Sequence, residues 1–470
     1  MMNVYVRPIG SDEEVRITGA SKRSLYGYFW LNENRIAYVQ DEGGDENIHI
    51  YAVNIDGSNN IDLTPFENIQ ARITDDLEDN PDYMLVAINK RNPRIHDVYR
   101  MNVNSGEMEM IAENPGNIQG WMTDNEGKLR IATTSDGVNT SLLYRENETE
   151  DFKPILTTNF KESVSPLYFT FDNQELYVAS NRGRDKSAIF KFDLETAKEG
   201  ELIFENDEVD VYGLMRSKKR KKITGVSYTT DKRQMHFFDE WRENLQNKLE
   251  SKLKGVEVAI SDLSKDETKA IVVTYSDRSR GTYYYYDIET NKLLDLGKVS
   301  PWLNENHMAE MMPIKYKSRD GLIINGYLTL PKNSDGKNLP VVVNPHGGPW
   351  ARDTWGYRSE IQFLANRGYA VFQMNFRGST GYGREFWEAS FKEWGKSMQD
   401  DITDGVKWLI DEGVADPKRV AIYGASYGGY ATLAGLTFTP NLYACGVDYV
   451  GVSNIFTLLE TLPPYWELGR

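Results

Sequence analysis

Cysteine is almost absent. The single one, Cys445, excludes an intrachain disulfide and any cysteine-rich metal centre within the 470 residues. Basic residues are outnumbered. Lys+Arg 54 against Asp+Glu 70 leaves a formal charge of -16. That charge opposes the phosphate neutralisation on which non-specific nucleic-acid binding depends, so no nucleic-acid partner is expected. Mean hydropathy is -0.56 and no run of about 18 apolar residues occurs, so no membrane-spanning helix and no membrane partner are expected. The segment Met1–Pro8 lacks the basic patch and apolar stretch of a secretory signal, which makes a cytoplasmic location the expectation. Histidine is scarce too, at 5 residues, a shortage that matters below.

What is present is ordinary for a folded chain: 40% hydrophobic and 26% charged residues. The 28 tyrosines suggest many strands. Over the first 300 residues one unit recurs: an aromatic or aliphatic strand, an acidic or Asn residue, then a turn. Tyr5, Tyr51, Tyr99, Leu143, Phe190, Phe237 and Tyr284 anchor it, 44 to 48 residues apart. Each later unit carries an earlier strand upstream, such as Arg35–Val39, Tyr83–Ala87, Leu176–Ala179 and Ala270–Val273. Several short strands per repeat of about 40–50 residues is the pattern of propeller blades. Seven anchors imply a β-propeller of seven blades over residues 1–305, the first incomplete because the strand before Val4 is missing. The run Lys218–Lys222 falls where other repeats carry a polar turn and reads as a solvated turn. The acidic stretch Asp41–Glu46 joins two strands of one blade and lacks the ligand spacing of a calcium loop.

From about Asn306 the pattern changes to strands alternating with helices, which means a mostly parallel sheet covered by helices. Apolar strands run over 323–330, 339–344, 369–376 and 420–423. Met398, Ile402, Val406, Leu409 and Ile410 recur at helical spacing over 399–413. The strand at 420–423 leads into Gly424-Ala425-Ser426-Tyr427-Gly428-Gly429-Tyr430, followed by a helix to about Phe438. A G-x-S-x-G string alone is weak. Between a strand and a helix it is a nucleophile elbow, whose turn is too tight for side chains two residues either side of the serine. His346-Gly347-Gly348-Pro349 follows an earlier strand and suits a second oxyanion donor, because glycine lets the backbone approach a substrate.

These strings, with Asn375-Phe376-Arg377-Gly378-Ser379-Thr380-Gly381-Tyr382-Gly383 and Asp416-Pro417-Lys418-Arg419-Val420, resemble the prolyl oligopeptidase family of serine peptidases, and in particular its acylaminoacyl-peptidase and dipeptidyl-peptidase-like bacterial branch. The resemblance implies an N-terminal propeller joined to a C-terminal α/β-hydrolase domain at 306–470. It implies Ser426 as nucleophile, with the backbone N–H groups of Gly348 and Tyr427 as the oxyanion hole. It also implies short peptides as substrates, a propeller that restricts access to them, and no cofactor. Self-association is left open.

One part is missing. In α/β-hydrolases the serine is followed by an acidic residue and then a histidine, and the serine hydroxyl needs that base. The histidines are His49, His96, His236, His307 and His346, all before Ser426, and Asp448 is the only later Asp. His346 belongs to the oxyanion turn by resemblance. The expectation is therefore a family member trimmed at both ends, whose hydrolase domain lacks its last strands and its triad Asp and His, and which is inactive as it stands. A propeller binding module with a non-catalytic hydrolase remnant is the alternative. An esterase of the same fold shares the chemistry.

Overall fold

The computed structural model describes residues 1–461. By packing, the chain falls into two compact units. One comprises 1–160, 168–176 and 193–198; the other comprises 161–167, 177–192 and 199–470. No helix among the described residues is long and apolar enough to cross a membrane.

The repeats fold into antiparallel sheets, beginning with Gly27–Asn32, Arg35–Gln40, His49–Asn54 and Ile61–Asp62. Sheets two, three, four and six also have four strands. The fifth has three: Val211–Ser217, Lys222–Thr229 and Arg233–Phe237. Except in the fifth, the second strand of each sheet is the most deeply buried. Met84, Leu85, Val86 and Ile88, for example, are inaccessible, and this is why these strands read as the most apolar. The recurring acidic or Asn residue closes the turn after the anchor strand in the first, second, fourth and sixth sheets. Its side chain accepts a backbone N–H two or three residues on: Asp56 from Ser58 (2.9 Å), Asn102 from Asn104 (2.9 Å), Asp193 from Glu195 (2.9 Å), Asp287 from Thr290 (2.8 Å).

The blade count is six, not seven. Six anchors lie on the third strand of a sheet. The first, Tyr5, lies on the ribbon Tyr5–Val6 paired only with Val15–Arg16, and two strands do not make a blade. The fifth repeat departs from the others after Phe237. Asp239, in the usual turn position, instead caps a helix, Glu240–Lys252, by accepting from the Arg242 N–H (3.0 Å). Leu245 and Leu249 of that helix pack on Val258, Val272 and Tyr286. The sequence reading missed this helix because the 47-residue step from Phe237 to Tyr284 is kept across it. The run at 218–222 is a turn, but it is not merely solvated. Arg220 reaches Asp239 (2.5 Å) and Glu267 (2.7 Å) and lies over the Trp241 ring. The acidic stretch at 41–46 does join two strands of one blade.

Among the described residues the second fold has six strands: β1 (Met311–Lys317), β2 (Ile323–Thr329), β3 (Leu339–Val343), β4 (Ala370–Asn375), β5 (Ala415–Ala425) and β6 (Cys445–Tyr449). Their order is β1-β2-β4-β3-β5-β6. β3 runs parallel to β4 and β5, and β5 parallel to β6, while β2 is antiparallel to both β1 and β4. Helices α1 (Ser359–Asn366), α2 (Arg384–Glu388), α3 (Ser397–Asp411), α4 (Tyr427–Phe438) and α5 (Ile455–Thr461) complete it. β1 was not foreseen. Its pattern, with Met312, Pro313, Lys315 and Lys317 outside and only Met311 and Tyr316 buried, is too polar to stand out. The helical spacing near 400 held: Met398, Ile402, Val406 and Leu409 are inaccessible against Phe372, Val420 and Ile422. β6 lies at one edge of the sheet as described.

Candidate active site

β5 carries Ser426 to its C-terminal end, where open α/β sheets place their ligand sites. Ser426 stands at φ 55, ψ -119, between strand and helix. A non-glycine residue in this region costs about 1–3 kcal/mol and persists only where its surroundings hold it. They do. The Ser426 N–H donates to Tyr449 O (3.1 Å) on β6, and its carbonyl accepts from Tyr430 (3.0 Å) in the first turn of α4.

The elbow glycines are sterically required. A Cβ at Gly424 would sit 2.4 Å from Gly428 O, and one at Gly428 would sit 2.2 Å from Pro345 O. The second figure shows why the two motifs belong together: the chain leaving β3 lies directly on the first turn of α4. A Cβ at Gly347 would be 3.5 Å from Ser426 Cβ. Gly348 follows with φ +127, open only to glycine at low cost. Among the described residues neither the Gly348 N–H nor the Tyr427 N–H meets a protein acceptor. Tyr427 opens a helix, where such donors are unpaired and the dipole favours an anion.

His346 is fully engaged. Its Nδ1 lies 2.8 Å from Gly347 O and its Nε2 lies 2.9 Å from Ser379 Oγ. Its ring stacks on Phe376 at 4.4 Å. A carbonyl only accepts, so Nδ1 carries the proton, and the one Ser379 hydroxyl proton is shared between His346 Nε2 and Phe376 O (2.7 Å). Burial holds the imidazole below its usual pKa, which fits this neutral form. The ring thus fixes the Gly347 carbonyl, and with it the peptide plane whose other end is the Gly348 N–H. Its nitrogens leave nothing for Ser426.

The string at 375–379 proves to be the brace of the site. Asn375 exchanges two hydrogen bonds with the Asp353 backbone (2.8 and 3.0 Å), holding the loop beyond Gly348. Phe376 lies between His346 and Tyr427 (5.3 Å). Arg377 grips inaccessible Asp401 of α3 through side chain and backbone (2.7–2.9 Å) and also reaches Asp320 (2.8 Å). These carboxylates hold the guanidinium firmly charged, well above its usual pKa. Ser379 anchors His346. None of these four roles was legible in the sequence, because each depends on a partner more than 20 residues away or on a ring packed across the sheet.

Blade turns of the same packing unit hold this brace from the other side. Asp185 accepts from the Glu385 N–H (2.7 Å), Asp210 from Gly383 (3.2 Å), and Lys186 donates to Tyr382 O (2.7 Å). Arg352 donates to Thr230 O, and Tyr327 OH donates to Asp231 O (2.6 Å).

Of the remaining histidines, His49 pairs with Asp62 (2.8 Å) and His236 stacks on Phe204 (5.0 Å). Asp448, on β6, is exposed and lies against the backbones of Gly429 and Gly451.

A profile described as the prolyl oligopeptidase family matches residues 355–467. Dipeptidyl aminopeptidase BIII of Pseudoxanthomonas mexicana is 36% identical over 490 residues, spanning 99% of this chain and 69% of that protein. Dipeptidyl peptidase family member 6 of Caenorhabditis elegans is 29% identical over 507 residues, spanning 99% and 68%. A solved puromycin hydrolase shares the fold with a TM-score of 0.73 at 18% identity, over 97% of this chain and 76% of that one.

Proposed function

Because the chain belongs to the prolyl oligopeptidase family of serine peptidases, we propose that it hydrolyses short peptides, in the manner of a dipeptidyl aminopeptidase, through an acyl-enzyme on Ser426. The observation that supports this best is the strained turn at Ser426 with Gly347 packed against it. Ser426 Oγ attacks the scissile carbonyl and gives its proton to a base. The tetrahedral oxyanion accepts from Gly348 N–H and Tyr427 N–H. The base returns the proton to the departing amine, and water then hydrolyses the acyl ester. Residues 1–305 are read as the propeller, which limits access to short chains, and 306–470 as the hydrolase domain.

The base is the unfilled role. No histidine follows Ser426 within the 470 residues, and His346 is committed to Gly347 and Ser379. Serine proteases stripped of a triad member keep about 10³–10⁴-fold catalysis over water, far below a working enzyme. The polypeptide 1–470 is therefore expected to release negligible p-nitroaniline from aminoacyl-p-nitroanilides, with Ser426→Ala changing almost nothing. In a chain that carries these residues together with a segment supplying the Asp and His, the same substitution abolishes turnover. Robust Ser426-dependent turnover by 1–470 alone contradicts the proposal of an absent base. Turnover in the longer chain that survives Ser426→Ala contradicts Ser426 as nucleophile, whereas no turnover in the longer chain favours the reading of a propeller module with an inert hydrolase remnant.

A further inference from the structure

Beside the nucleophile turn lies a group of aromatic rings that the chemistry at Ser426 does not use. Trp350, two residues beyond Gly348, is 36% exposed. Its ring meets Trp387 at 5.2 Å and Phe391 at 6.0 Å, and Trp387 and Phe391 meet edge to face at 4.6 Å. The group is preorganised. Trp350 Nε1–H donates to Ser390 Oγ (3.2 Å), and buried Ser390 donates in turn to Trp387 O (2.7 Å). Ser390 is itself seated on Gly378, where a Cβ would be 2.5 Å away. With its one donor satisfied by a buried hydroxyl, the surface that Trp350 turns to solvent is carbon.

Position decides what such a surface takes. Gly347 touches Ser426, and three further residues of chain reach at most about 11 Å, so Trp350 lies within a few peptide units of the nucleophile. The segment that carries Trp387 and Phe391 continues to Trp394, which packs edge-on against Tyr427 at 4.7 Å. The rings therefore flank the elbow on a brace fixed at both ends. The charges at their rim are matched: Lys161, 5.9 Å from the Phe391 ring centre, pairs with Glu388 (2.8 Å), and Arg384 lies 3.6 Å from Glu388 and 3.5 Å from Glu162. A charged substrate side chain meets no excess of opposite sign here, whereas a ring gains stacking partners.

The geometry points to Trp350, Trp387 and Phe391 as a subsite for an aromatic side chain of the peptide, within about three residues of the bond that Ser426 attacks. This rests on the serine-peptidase reading only for the location of that bond. The test is calorimetric binding of Gly-Phe-Gly and Gly-Ala-Gly to the 470-residue chain carrying Ser426→Ala, which removes any turnover. Gly-Phe-Gly is expected to bind about tenfold tighter, equivalent to about 1.4 kcal/mol. Trp350→Ala should bring that ratio below about twofold, and Trp350→Phe should keep most of it. If Trp350→Ala does not fold, Phe391→Leu keeps the volume and removes the ring, and should lower the ratio to about threefold. Equal affinity for the two tripeptides in the parent, or a tenfold ratio that survives loss of the ring, overturns the subsite. Because only binding is read, an unreactive Ser426 leaves this outcome untouched. A reactive Ser426 with no discrimination between the tripeptides removes the subsite alone.

Discussion

Replacing Gly428 by alanine is expected to destabilise the hydrolase fold, against the ordinary preference for alanine in a helix. In an exposed helix the exchange is worth about 1 kcal/mol in alanine's favour. Here the added methyl would lie 2.2 Å from Pro345 O, 3.2 Å from Pro345 C and 3.3 Å from His346 O. These are backbone atoms and cannot rotate away. Ordinary contact begins near 3.4 Å, so the loop must retreat from α4 by about 1.2 Å. Overpacking of this kind costs typically about 1–3 kcal/mol, occasionally more. The loop cannot give freely, because Asn375 and Ser379 tie it down on its far side. A clash with tethered backbone belongs in the upper part of that range, about 2–3 kcal/mol, which leaves a net loss of about 1–2 kcal/mol after the propensity gain and a fall of about 2–8 °C in the melting temperature of a domain this size. Gly435→Ala in the same helix is the comparison. Its new methyl meets side chains rather than backbone, Tyr443 Cε2 at 2.9 Å, Gln399 Nε2 at 3.4 Å and Ile422 Cδ1 at 3.4 Å, so a smaller loss is expected. Thermal unfolding followed by circular dichroism separates the two. A Gly428→Ala chain as stable as its parent, or more stable, would show that the loop after β3 does not rest on α4, and the reason given for that glycine would fall.

Three other outcomes are expected. Asp401→Asn leaves the Arg377 guanidinium, 6% exposed, without its buried counter-charge, so urea unfolding should show a loss of about 3–5 kcal/mol; a loss under 1 kcal/mol contradicts the pairing. His346 has its pKa lowered by burial, so below about 6.5 the unfolded chain takes up a proton that the folded chain refuses; its stability contribution is complete above that pH and falls beneath it by up to about 1.4 kcal/mol per pH unit until the folded pKa is reached. His346→Gln should flatten this part of the stability curve between pH 6.5 and 5, and parallel curves for parent and variant refute the point. Finally, β6 pairs on one side only among the described residues, with Val447 and Tyr449 56% and 62% exposed; the 470-residue chain should self-associate along it in light scattering, and Tyr449→Lys should reduce this, whereas a monodisperse parent at high concentration rules it out.

The elements that could be read from the sequence are those whose signal is local. The anchors show through because an Asp or Asn at the end of a strand, accepting an N–H two or three residues on in the turn, is a backbone-satisfying device that works alone, as at Asp193 and Asp287. α3 shows through because its buried stripe repeats at helical spacing. The elbow shows through because sterics at Gly424 and Gly428 act within a few residues of Ser426. The misses have the opposite character. The ribbon at Tyr5 keeps the repeat's phase without its sheet. The helix at 240–252 hides inside an unchanged period, and its one advance sign was Asp239 ahead of Leu245 and Leu249. The aromatic trio is spread over 42 residues of chain and becomes a surface only when Ser390 and Gly378 bring its parts together.

His346 links these threads. Read as a residue type, a histidine beside a nucleophile invites the role of base, and it is the one histidine whose loop touches Ser426. The hydrogen bonds decide otherwise. A neutral imidazole has one donor and one acceptor, and both are spent, on Gly347 and Ser379. To act as base, Nε2 would have to leave Ser379, and the ring would have to leave the face of Phe376. Phe376 is itself packed on Tyr427, whose N–H is one of the two proposed oxyanion donors. Recruiting His346 would therefore dismantle the proposed oxyanion site in order to activate the proposed nucleophile. Under this arrangement the proton acceptor for Ser426 must be a separate group, and loss of His346 should act on the placement of the Gly348 N–H rather than on proton transfer.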